Sequence, residues 1–108
     1  MDDARARELL TARRADIEDQ LKSIGVDVLG EDESTTEVAD NASDTYQAEY
    51  DAGRIQELRD ELAAVDRAEE RLRNGTFGRS VQSGTPIPDA RLEALPTAER
   101  TIEEEEGR

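Results

Sequence analysis

The sequence predicts a mainly α fold: an antiparallel helical hairpin of coiled-coil type, followed by a small C-terminal knuckle and a short last helix. Three observations predict it. Two long segments rich in Ala, Glu, Leu and Arg carry apolar residues at helical spacing. All three prolines and four of the seven glycines follow Asn74, so the turns are gathered at one end of the chain. Aromatic residues make up 3% and charged residues 39%, which leaves too little apolar material for a large globular core.

The first helix is expected over residues 3–24. Asp2 and Asp3 suit its start by capping and by the helix dipole, and Gly25 suits its stop. Leu10, Ile17, Leu21 and Ile24 recur at spacings of seven, four and three and form one stripe, with Arg14 interrupting the seam. A mobile tip loop is expected over about 25–43, where glycines and acidic or hydroxyl residues replace the periodic pattern. A calcium loop over Asp40–Asp51 is excluded, because Thr45 stands where glycine is required and Ala42 where an oxygen ligand is required.

The second helix is expected from about Asp44, capped with Gln47, to Arg73, with Asn74-Gly75 as the stop. Ile55, Leu58, Leu62, Val65 and Leu72 follow a heptad pattern broken once by Glu69, and charges fill the other faces. Gly53 weakens this helix toward the loop end by about 1 kcal/mol relative to alanine. Neither stripe is buried alone, so the two helices of residues 1–73 are expected to pack antiparallel.

Residues 74–104 form the knuckle. Pro88 is placed to open a helical turn through Glu93, and Thr97 to cap a last helix after Pro96. Residues 105–108 are expected to be a frayed acidic tail, since carboxylates at a helix C-terminus oppose its dipole. Ser80 and Ser83 stand three apart before Gly84, and Thr101 and Glu104 repeat that spacing 18 residues after Ser83. Cysteines at these four positions would make a four-thiolate zinc knuckle. Hydroxyls and one carboxylate do not replace thiolates, so the knuckle is expected to be zinc-finger-like without metal ligands, and no cofactor is expected. An apolar cluster of Phe77, Val81, Ile87, Leu92, Leu95 and Ile102 is expected to supply the missing folding energy. The three hydroxyls would then bond turn backbone, and Arg79 and Arg100 would pair with Glu104 or the tail.

This frame resembles the DksA/TraR family of bacterial RNA polymerase-binding regulators. Phe77-Gly78, Gly84, Ile87, the run Arg91-Leu92-Glu93-Ala94-Leu95-Pro96-Thr97-Ala98, and Ile102 fall in register with the family's zinc region, over about a third of the chain. The four cysteines are the departure. The resemblance also implies a hairpin-tip motif, an acidic residue, two spacers, Asp, one spacer and Ala, which Glu37-Val38-Ala39-Asp40-Asn41-Ala42 matches. Glu37, Asp40 and Ala42 are therefore the partner-binding residues that the resemblance implies, carried into the secondary channel of RNA polymerase. A carboxylate on such a tip suits a site rich in Mg²⁺ and basic side chains.

Composition limits the function classes. The chain has no cysteine and no histidine, so disulfides, thiol catalysis and imidazole chemistry are excluded, and an enzyme is not expected. A net charge of −14 argues against direct nucleic-acid binding and favours basic surfaces on a protein partner. No segment approaches membrane-spanning length and no leader is evident, so a cytoplasmic protein is expected. The heptad seams are short enough to be satisfied within a monomer. Two readings stand: a bacterial transcription regulator that binds RNA polymerase, and an acidic helical-hairpin adaptor with another partner.

Overall fold

The computed structural model describes residues 1–25 and 45–107. From residue 26 on, the expected tip loop lies outside the described residues, as does Asp44 with its expected cap. Four helices are present among the described residues: α1 (Asp3–Ile24), α2 (Thr45–Asn74), α3 (Asp89–Ala94) and α4 (Ile102–Glu105). The described residues contain no strand; Arg79 and Pro86 form an isolated antiparallel bridge.

The start of α1 is capped as the sequence predicts, with the Arg5 amide donating to Asp2 Oδ1 at 2.8 Å. The end of α2 is a Schellman turn. Thr76 N–H donates to the Arg71 carbonyl at 2.9 Å and Gly75 N–H to the Leu72 carbonyl at 3.3 Å, satisfying two orphan carbonyls. Gly75 has φ 82°, a left-handed conformation that would strain any residue with a Cβ.

The helices α1 and α2 form a pair, and the chain divides into two compact units. One comprises Met1–Arg13 with Ala63–Arg108, the other Arg14–Leu62. In the second unit Ile17, Leu21 and Leu58 are buried, and Arg54 donates to Gln20 Oε1 at 2.5 Å. In the first unit Ala6, Leu10, Val65 and Ala68 are buried, and Arg7 and Leu10 line a cleft with Glu69, Leu72 and Arg73. The large aliphatics thus mark the seam only in part. Ala6 and Ala68 are fully buried, whereas Ile24, Ile55, Leu62 and Leu72 are half-buried. How closely two helices approach depends on side-chain size at the contact, and alanine fits where a leucine would not.

Two expectations for the knuckle are corrected. Its core is Ile87, Leu92 and Ala98, with Met1 and Phe77 packed against them. Val81, Leu95 and Ile102, expected in the cluster, are 50%, 39% and 48% exposed. A turn-rich segment has no fixed period, so its sequence does not separate inward from outward apolar side chains. The last helix begins after Thr101, not after Pro96. A capping box needs an acceptor three residues on; Thr97 has Arg100 there and Thr101 has Glu104. Both bonds of the box form at Thr101. α4 continues through Glu105, one residue into the tail expected to be frayed, and the Glu105 carboxylate lies 3.6 Å from Arg100 Nη1.

Candidate functional site

The turn from Arg79 to Pro86 sets the geometry of the knuckle. Ser80 N–H donates to the Thr85 carbonyl at 2.8 Å, Gly84 N–H to the Ser80 carbonyl at 2.9 Å, and Ile87 N–H to the Gly78 carbonyl at 2.8 Å. Gly84 sits at φ 78°, which closes the turn, and Arg79 Nη1 donates to its carbonyl at 3.2 Å. Arg79 is thus engaged with backbone here and not with the acidic groups expected for it. Val81 N–H donates to the Glu99 carbonyl at 2.8 Å, which ties this turn to the segment leading into α4.

Within this frame Ser80, Ser83, Thr101 and Glu104 come together. The Ser80 hydroxyl donates to Glu104 Oε1 at 2.6 Å and the Ser83 hydroxyl to Oε2 at 2.5 Å. Thr101 N–H donates to Oε1 at 3.0 Å, and Glu104 N–H donates back to Thr101 Oγ1 at 3.2 Å. Ser80 Oγ also accepts from the amides of Gln82 and Ser83 at 3.0 and 3.1 Å. Its one proton and two lone pairs are then all engaged, as suits a side chain that is only 5% exposed. Ser83 Oγ accepts from Thr85 N–H at 3.2 Å. The hydroxyls therefore do bond turn backbone. What the sequence reading missed is that two of them also converge on Glu104, whose ordinary role as N3 of a capping box was readable in Thr-x-x-Glu.

The donors gathered on Glu104 hold its carboxyl well below the usual range, at about 2; the Ser80 hydroxyl contributes most, then Ser83 and the Thr101 amide. These residues do not fit the zinc ion of a four-thiolate knuckle. The set offers no thiolate and no imidazole, and the Ser80 oxygen has no lone pair left over. Among the described residues no group of three or more His, Cys, Asp or Glu could hold a metal ion.

Two further sets of contacts lie within the first unit, and neither was legible in sequence. Glu99 Oε2 accepts from Arg67 Nε at 2.8 Å and from Arg71 Nη1 at 3.2 Å, joining the knuckle to two arginines one helical turn apart. Burial pushes the Glu99 carboxyl up, but the two guanidiniums outweigh it and the net direction is down. Arg5 grips Glu93 on α3 through Nε and Nη2 at 2.8 and 2.6 Å, a two-point geometry that suits a guanidinium and a carboxylate. That bond depresses the Glu93 carboxyl and raises Arg5. The other site residues that the sequence singled out, Glu37, Asp40 and Ala42, lie outside the described residues.

Among the described residues no helix is long and apolar enough to cross a membrane. Over 76 residues, 70% of its length, the chain is 33% identical to the RNA polymerase-binding transcription factor DksA of Caulobacter vibrioides, covering 54% of that protein. It is 39% identical over 59 residues to the protein YteA of Bacillus subtilis, covering 55% of this chain and 25% of the relative. Over 44 residues it is 46% identical to YlyA of the same organism, covering 41% and 36% respectively. The chain thus spans about half the length of DksA and less of the other two. No family model matches it, and neither does any solved structure.

Proposed function

We propose that this chain is a DksA-like transcription regulator that binds RNA polymerase. The observation that carries the reading is its similarity to a polymerase-binding transcription factor over 70% of its length. The family-like residues Phe77, Ile87, Leu92 and Ala98 also pack together in the knuckle, as a shared frame requires. In this reading α1 and α2 are the two arms of an antiparallel hairpin whose tip carries Glu37, Asp40 and Ala42. The acidic tip enters the secondary channel, where its carboxylates meet basic side chains and Mg²⁺, and biases initiation without touching DNA. The protein acts as a cytoplasmic monomer, without catalysis of its own, and the knuckle forms the base of the hairpin.

The test is association with purified RNA polymerase. The native chain is expected to co-elute with polymerase and to alter transcription initiation in vitro. Asp40→Asn and Ala42→Thr are expected to weaken both effects by about tenfold, the scale of about 1.4 kcal/mol at a contact. Undiminished effects in both variants would remove the tip from the mechanism. No association at all, with another protein captured instead, would favour the acidic adaptor reading.

A further inference from the structure

We propose that the Glu104 carboxylate organises the knuckle in place of a metal ion, so that the order of this region depends on one side chain and not on zinc. The polarity of the centre is inverted. A zinc knuckle gathers lone pairs onto a cation. Here an anion gathers protons: the Ser80 and Ser83 hydroxyls and the Thr101 amide, from two segments about twenty residues apart, point at its two oxygens.

Three features of this chain build the inversion. The two serines are linked to each other independently of Glu104, because Ser80 Oγ accepts the Ser83 amide. Glu104 is held in place by its own backbone, through the capping box with Thr101. Its hydrogen-bond donors are all neutral, so the site depends on the acceptor character of both oxygens and not on pairing with a cation. A zinc ion entering here would have to break the bonds of Ser80 to Gln82, Ser83 and Glu104, and would gain only weak hydroxyl ligands in exchange. The disagreement with a zinc-binding frame is therefore a replacement by different chemistry, not a loss.

The experiment is amide hydrogen exchange on the full chain, alongside thermal melting. For the native protein, neither a strong chelator nor added zinc is expected to change the melting temperature or the exchange of the Gln82, Ser83, Thr101 and Glu104 amides. In Glu104→Gln, which keeps the shape but turns one acceptor into a donor, exchange at Gln82, Ser83 and Thr101 should rise by roughly tenfold or more, with the Val65 amide in α2 unchanged. Loss of protection on chelation, or unchanged exchange in Glu104→Gln, would overturn the proposal. Should Glu104→Gln not fold, the Ser80→Ala, Ser83→Ala double variant, which keeps the carboxylate, should raise exchange at Thr101, whose amide touches Glu104 and neither serine; unchanged exchange there would overturn the proposal. A third arm replaces all four residues jointly, Ser80→Cys, Ser83→Cys, Thr101→Cys and Glu104→Cys. This variant should bind one zinc per chain and melt in a chelator-sensitive way. Its failure to bind zinc would show that the four positions do not share one coordination-sized centre, and would refute the inversion.

Discussion

Ser80 and Glu104 show how much of a small fold one pair of side chains can carry. Each has its polar atoms engaged by groups from within the knuckle, Ser80 with one donated and two accepted bonds, and Glu104 with three donors on two oxygens. The pH dependence follows from the depressed Glu104 carboxyl. Its folded value of about 2 lies below the ordinary carboxylate value of 4.5, so the native state favours the ionised form. Its stabilisation is full above the unfolded value and is lost as pH falls from about 4.5 toward 2. Acid titrations of the native chain and Glu104→Gln, followed by circular dichroism, should therefore converge at low pH and separate above it. A constant offset down to pH about 2 would contradict the assignment.

At the level of elements, capping decides where the helices start and stop. α4 has only four residues and cannot hold itself together without its cap, since helix nucleation is unfavourable. Thr101→Ala removes one arm of the capping box and should destabilise the protein by about 1 kcal/mol, read as a lower urea midpoint with unchanged slope. α2 offers the opposite opportunity. Gly53 lies within it, and an added Cβ there would meet nothing within 4 Å. Gly53→Ala should therefore stabilise by up to about 1 kcal/mol, by lowering the backbone entropy lost on folding. A neutral or destabilising result would show that the helix is not continuous there.

For the whole molecule, a net charge of −14 on 108 residues is the dominant long-range term. Arg5–Glu93, Arg67–Glu99 and Arg71–Glu99 are attractive, but they are local and partly exposed, so each adds little. Self-repulsion should win. Raising ionic strength from roughly 10 to 150 mM shortens the screening length from about 30 to about 8 Å and should raise the melting temperature. A fall instead would show that the arginine clasps outweigh the repulsion. The same charge should make any association with a basic partner surface weaken as salt rises.

The sequence by itself determined the α1 and α2 helices nearly to the residue, because their signals are local: periodic Leu, Ile and Val, an aspartate at the start of α1, and Gly25 and Gly75 at the stops. Two three-residue spacings and a family resemblance singled out Ser80, Ser83, Thr101 and Glu104, and it is the fold that brings the four within hydrogen-bond reach. Only the tertiary structure decided that Glu104 is the acceptor at their centre, that Val81, Leu95 and Ile102 face solvent, and that Ala6 and Ala68 are buried. It alone joined Glu99 to Arg67 and Arg71, across roughly thirty residues of chain. Those facts depend on which side chains meet after the backbone has turned through the knuckle, and in a turn-rich segment no repeat in the sequence records the direction in which each one points.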